Sequence, residues 1–235
     1  QRAGKVIYDR ADSAFACSSP EEYDWSAIFA GADWFHFTGI TPALGERAEA
    51  VVRRACAEAK ARGVTVSCDL NYRATLWPRE RARTVLSQLM ENVDVCISNA
   101  DQVLDVFGMR AQGTGNERDA ALAELLAQTF GLRAVALTRR KSVSASENYF
   151  SGMLWDGDAA FSREYDMHIV DRVGGGDAFA SGLIYAMLHN YKAMDMINFA
   201  VASSAIKHTI HGDANITDDV STIRNLMNMN YDIKR

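Results

Sequence analysis

Two textures of hydrophobic residue alternate along this chain. One is the short continuous run: Trp34 to Thr38, Val64 to Leu70, Val93 to Ile97 and Ala134 to Thr138. Runs of this length, rich in β-branched and aromatic side chains, predict strands buried on both faces. The other is a longer stretch with apolar residues three and four apart. Residues 43–62, 78–92, 100–107 and 117–130 have that spacing and predict helices. Pro42 and Gly63 bracket the first of them, as start and stop signals should. Strand and helix therefore take turns, which predicts an α/β fold with a central, mostly parallel sheet covered by helices on both faces.

Other segments complete the pattern. Residues 5–10 predict a short strand whose alternation puts Tyr8 and Arg10 on one face. Residues 142–149, 152–155 and 160–165 predict a short antiparallel excursion. Beyond it only helices are expected, over 178–189, 193–211 and 218–229. The polar stretch 112–118 predicts a surface loop, since its Gly113 and Gly115 lack the flanks of a phosphate loop.

The helix predicted from residue 178 is preceded by Gly174, Gly175, Gly176 and Asp177. Glycines at a helix entrance leave backbone N–H groups bare, and the helix terminus adds about half a positive charge. The combination is a cradle for a phosphate or oxyanion. A carboxylate at its lip suits a base that deprotonates an attacking hydroxyl. On residue chemistry alone, Asp177 is equally well an ordinary N-cap. Ligands of open parallel sheets bind beyond the carboxyl ends of the strands. Those ends are Gly39–Thr41, residues 69–73, Ser98 and Asn99, Thr138 and Arg139, and the glycine turn. Asp69, Asn71 and Arg73 share a face if the chain stays extended, with Asp69 and Arg73 then free to pair with each other.

Composition narrows the function classes. The chain has 235 residues, 48% of them hydrophobic, enough for a sizeable core. Its net charge of -5, without a basic block, argues against nucleic acid or an anionic membrane as partner. No apolar run approaches the roughly 20 residues that span a bilayer, and the start does not read as a signal peptide. Cys17, Cys56, Cys68 and Cys96 form no Cys-x-x-Cys pair, and the histidines show no ligand spacing. A cytoplasmic protein without structural zinc is expected.

The string from Asp171 to Gly182, Asp-x-x-Gly-Gly-Gly-Asp-Ala-Phe-x-x-Gly, resembles the second signature of the PfkB (ribokinase-like) carbohydrate kinases. The resemblance implies a ribokinase-like fold and phosphoryl transfer from ATP with Mg²⁺ to a sugar hydroxyl. It makes Asp177 the catalytic base and Gly174, Gly175 and Gly176 the anion hole. Asp171 then shapes a loop for a monovalent cation such as K⁺. Asp69 to Trp77, Asp-x-Asn-Tyr-Arg-x-x-Leu-Trp, is similar to the 2-keto-3-deoxygluconate kinase branch. That similarity puts Arg73, with Tyr8, Arg10 and Ile40, against an acid sugar whose carboxylate needs a cation. Asn99, Thr138 and Arg139, with Gly174 and Gly176, are implied for the nucleotide. The segment Lys207 to Asn215 resembles the part of that branch near the adenine.

Some features depart from the family. Gln102 stands where the family has a Glu that organises magnesium waters, with Asp101 beside it. Thr138 is not followed by the family's glycine; Arg139 and Arg140 stand there, as phosphate contacts or as a solvent-facing turn. The family's first strand and lid are expected to be missing, so that residues 1–18 are a remnant of lid strand and 19–235 the nucleotide- and sugar-binding domain. A homodimer through the lid, or a second chain that supplies the missing part, would follow. A kinase of a neutral sugar and a weak ligand-binding protein of the same fold are the alternatives.

Overall fold

The computed structural model describes residues 9–217 and 219–229. They form two compact units that meet in sequence at Ala136 and Leu137. The lid strand expected over 5–10 falls largely outside the described residues, Tyr8 included; Asp9 and Arg10 lie in no strand. The expected division at residue 18 concerns that same segment.

In the first unit two short helices come early, α1 (Ala14–Cys17) and α2 (Trp25–Ile28). Their caps are Ser13, whose Oγ accepts from the Ala16 N–H at 3.3 Å, and Asp24, whose carboxylate accepts from the Ala27 N–H at 3.1 Å. Then strand and helix alternate: β1 (Trp34–Thr38), α3 (Glu46–Ala61), β2 (Thr65–Asp69), α4 (Arg79–Met90), β3 (Val95–Ser98), α5 (Ala100–Phe107) and α6 (Gly115–Phe130). The strands are parallel, with β2 between β1 and β3. Register places Phe37 beside Cys68 and Cys68 beside Cys96. The stripe Ala48, Val51, Val52, Ala55, Cys56 and Ala59 is the buried face of α3, which packs on β1 and β2. Each buried valine there adds on the order of 1.5 kcal/mol or more. Cys56, Cys68 and Cys96 serve as small core hydrophobes; burial pushes the Cys56 thiol up to about 12.

Two helix starts in this unit move from where they were expected. The helix predicted over 43–62 is broken at its start: Pro42–Leu44 is a 3₁₀ turn, and Gly45 at φ 142° re-aims the chain before α3. The loop predicted over 112–118 ends early, because α6 begins at Gly115 and its polar residues Asn116, Glu117 and Arg118 form its first turn.

β4 (Ala134–Ser142) leads into the second unit, which continues with β5 (Glu147–Trp155), β6 (Ala159–Phe161), β7 (Tyr165–His168), α7 (Gly175–Leu188), α8 (Ala193–Lys207) and α9 (Val220–Met227). The antiparallel excursion is built on one long strand: β5 pairs with β7 through Glu147–Phe150 and with β6 through Met153–Trp155. α8 packs on β5, β6 and α7. It ends at Lys207, not at residue 211. Gly152 lets that packing close, since a Cβ there would lie 3.1 Å from Ile197 Cδ1 and 3.3 Å from Phe179 Cε2. Among the described residues, no helix is long and apolar enough to cross a membrane.

Candidate active site

The first unit collects its polar residues at the carboxyl ends of β1, β2 and β3. Gly39 follows β1, and its N–H donates to the Asp69 carbonyl at 2.8 Å. A Cβ at Gly39 would stand 2.1 Å from the Leu70 carbonyl oxygen, so only glycine lets the two strand ends approach. Ile40 is half-buried just beyond.

The residues after β2 do not stay extended. Asn71 has φ 37°, which ends the alternation, so Asp69, Asn71 and Arg73 do not share a strand face. The Asp69 carboxylate instead accepts from the Asn71 N–H at 3.0 Å, an Asx turn. Asn71 Nδ2 donates to Thr38 Oγ1 at 3.1 Å and so ties the turn to β1. The Arg73 carbonyl accepts from the Leu76 N–H at 2.9 Å, and the Tyr72 hydroxyl donates to the Trp77 carbonyl at 3.2 Å. Tyr72 and Trp77 are buried and Arg73 is exposed. The aromatic pair thus anchors a turn that presents one guanidinium to solvent.

Asn99 caps α5: its Oδ1 accepts from the Gln102 N–H at 2.9 Å. Its Nδ2 has no protein partner among the described residues, which leaves a donor at the end of β3. Ser98 Oγ donates to the Asn99 carbonyl at 3.3 Å and lies 3.5 Å from Gln102 Oε1. Gln102 is therefore a neutral member of this cluster where a carboxylate would bring charge.

In the second unit, the strand end expected at Thr138 is not an end. β4 continues through Ser142, so Arg139 and Arg140 are strand residues, not a turn. The Arg139 guanidinium lies over the Phe161 ring, 5.7 Å from its centroid.

The glycine turn is the most fully braced part of the site. Gly174 is the N-cap of α7, at φ 80° in the left-handed region, and its carbonyl accepts from the Ala178 N–H at 2.8 Å. Asp177 is therefore not the N-cap but the third residue of the helix. It is exposed, and its carboxylate has no protein partner among the described residues. The three glycines are glycines for different reasons. A Cβ at Gly174 would lie 1.9 Å from the Asp213 carbonyl oxygen, and one at Gly175 would lie 2.3 Å from His208 Cε1. At Gly176 a Cβ would meet nothing within 4 Å. Among the described residues no contact requires that last glycine, although in a helix glycine costs about 0.5–1 kcal/mol relative to alanine. Open space above bare N–H groups at a helix terminus is what an anion needs.

Residues some thirty positions later brace this turn, and sequence reasoning did not assign them that task. Ser204 Oγ donates to the Gly175 carbonyl at 2.8 Å. His208 is buried beside Gly175, its Nδ1 2.7 Å from the Ser204 carbonyl. The His208 carbonyl accepts from the N–H groups of Val170 at 2.8 Å and Asp171 at 3.2 Å. Burial holds the His208 imidazole below its ordinary pKa, against the pull of the Ser204 carbonyl. The Asp171 carboxylate accepts from the N–H groups of Val173 at 3.1 Å and Gly212 at 2.9 Å, bonds that hold its pKa below the usual carboxylate value. Arg172 donates to the Ser144 carbonyl at 3.1 Å and the Ala145 carbonyl at 2.9 Å. The sequence marked part of this region, Lys207 to Asn215, only by its resemblance to a segment near the adenine.

Residues 4–219 match the family model described as pfkB family carbohydrate kinase. The chain is 29% identical over 219 residues to a 2-dehydro-3-deoxygalactonokinase of Haloferax volcanii, covering 93% of this chain and 64% of that one. It is 30% identical over 211 residues to a 2-dehydro-3-deoxygluconokinase of Thermoproteus tenax, covering 89% of this chain and 59% of that one. The crystal structure of a 2-dehydro-3-deoxygluconokinase from Thermotoga maritima superposes with a TM-score of 0.94 at 43% identity, over 97% of this chain and 69% of that one. The chain thus spans roughly three fifths of the length of these curated relatives.

Proposed function

The chain belongs to the pfkB family of carbohydrate kinases, and from that membership we propose that it takes part in ATP-dependent phosphorylation of an acid sugar of the 2-keto-3-deoxygluconate type. The observation that carries this reading is the start of α7: among the described residues, Gly176 opens onto empty space and Asp177 stands exposed beside it without a partner. Relatives named for kinases of 2-dehydro-3-deoxy acid sugars support the substrate class.

In this reading Asp177 takes the proton of the primary hydroxyl as that oxygen attacks the γ-phosphorus. The bond from the γ-phosphorus to the bridging oxygen breaks, and ADP leaves. The α7 terminus supplies N–H groups and its dipole to the oxygens of the moving phosphoryl group. The bracing from Ser204 and His208 matters here, because preset donors need no reorganisation during the reaction. Arg73, fixed by the Tyr72–Trp77 turn, is the clamp for the sugar carboxylate. Ile40, Tyr8 and Arg10 are its proposed companions.

Asn99, through its spare Nδ2, and Thr138 and Arg139 are proposed contacts of the nucleotide. Bound Mg²⁺ would neutralise charge on the β- and γ-phosphates. The described residues hold no cluster of three or more His, Cys, Asp or Glu able to bind a metal ion. That donor set fits an ion carried by phosphates and water, with Gln102 and Asp101 near it.

The test is Asp177→Asn in a coupled ADP-release assay on the full-length protein. Turnover should fall by about 10²–10⁴-fold, the usual worth of a general base, with folding and nucleotide binding kept. Near-wild-type turnover would remove Asp177 from the mechanism. Saturable sugar binding without any turnover in the parent protein would favour a ligand-binding protein of the same fold.

A further inference from the structure

The family resemblance implies a monovalent cation at the loop shaped by Asp171. The residues present there do not fit one. Lys207, the last residue of α8, is 0% exposed. Its Nζ donates to the Ile210 carbonyl at 3.1 Å. An ammonium has three protons to give, and this is its one protein hydrogen bond among the described residues. Burying a positive charge so sparsely bonded is costly unless negative dipoles and charges face it.

The surroundings supply them. The ammonium sits just past the C-terminus of α8, the negative end of that helix. It is near enough to the Asp171 carboxylate to act on it electrostatically. Asp171 in turn joins the two turns of this region, through the N–H groups of Val173 and Gly212. The turn from 171 leads directly into Gly174, whose Cα faces the Asp213 carbonyl too closely for any side chain. A fixed positive charge, the Ile210 carbonyl and the Asp171 carboxylate thus belong to the two turns that meet at the entrance to Gly174. A cation site here would need the oxygens of these turns for itself; a charge tethered to the chain already takes the Ile210 carbonyl.

We propose that the Lys207 ammonium is the built-in cation of this loop, so that the protein needs no K⁺ to hold its phosphate-binding turn in place. Lys207 is a positioning residue: it acts through the turns at 171–174 and 210–213, not on the reacting atoms. This inference borrows the kinase reading only for its activity readout. A thermal-stability readout stands without it.

The experiment compares KCl with tetramethylammonium chloride at equal ionic strength, measuring both melting temperature and ADP release. The parent protein should give the same values in both salts. Lys207→Ala, which removes the charge and leaves room for an ion, should lose turnover in tetramethylammonium and regain roughly tenfold in K⁺ or NH₄⁺, with a higher melting temperature in those salts. Lys207→Met, which removes the charge but fills the space, should be impaired in every salt. A parent protein activated or stabilised by K⁺ would overturn the proposal, and so would a folded Lys207→Ala indifferent to K⁺ or a Lys207→Met as active as the parent. If Lys207→Ala does not fold, the parent comparison and Lys207→Met still decide. If no form turns over, the kinase reading fails, while the melting temperatures still test the cation.

Discussion

Gly176→Ala separates the demands of folding from those of chemistry. A methyl group at this position meets nothing within 4 Å among the described residues beyond its own stretch of helix, and α7 has already begun at Gly175. Alanine should therefore stabilise the helix by about 0.5 kcal/mol, the low end of the usual glycine penalty, because the position is in the first turn. For a chain of this size about 1 kcal/mol moves the melting temperature by about 2–4 °C. The same methyl group intrudes on the space assigned to the transferring phosphoryl group. Alanine keeps its own N–H, but pushing a phosphoryl oxygen off even one preset donor should cost about 10²–10³ in turnover, as removal of such a donor does. The neighbouring glycines provide the contrast, since a Cβ at Gly174 would lie 1.9 Å from the Asp213 carbonyl oxygen and one at Gly175 2.3 Å from His208 Cε1. Alanine at either should lower the melting temperature outright. Thermal unfolding and a coupled ADP assay on all three variants make the measurement. A Gly176→Ala protein that melts lower than its parent, or turns over as fast, would refute the assignment of that space to an anion.

Two further expectations follow from the geometry. Arg73→Ala should raise KM for acid sugars about 10-fold or more, as for a lost charge-assisted contact, and leave neutral sugars nearly unaffected; a panel of acceptors measures it, and equal effects would exclude the carboxylate clamp. His208 has a pKa below 6.5 in the folded chain, so the unfolded chain binds more protons under mildly acid conditions. Its contribution to stability is present above that ordinary value and is lost as pH falls towards the folded pKa. Urea unfolding at stepped pH should show stability falling with acidification, and His208→Asn should flatten that slope; an unchanged slope would remove His208 as its source.

The strands of the first unit were legible because a continuous apolar run of that length, closed by turn residues, fits little except a strand buried on both faces. Helices α4, α5 and α6 were legible from their spacing, apart from the polar first turn of α6, whose residues match a loop in composition. α1 and α2 escaped because four residues carry no periodicity, and only the caps Ser13 and Asp24 marked them. Asn71 shows a different limit. Alternation in sequence promised one face, but the Asp69 carboxylate competes for the Asn71 N–H and turns the chain. The anion turn was visible from its glycines, since missing side chains leave a local mark. Its supports were not. Ser204, His208 and Asp213 reach it only through the packing of α8 on α7, which no local pattern encodes. Lys207 stood out only as the start of a segment near the adenine, because sequence carries charge but not exposure.

The crowding of Gly174 against the Asp213 carbonyl has a practical meaning for protein engineering. The two stretches are moulded to each other at a separation that admits no side chain on the first and no shift of backbone on the second. A designer who grafted residues 170–177 alone into another scaffold would transplant the glycines without the surface that shapes them. The portable module is the pair, with 204–213 carried along, and homologous recombination between such proteins should tolerate crossovers outside that pair far better than between its halves.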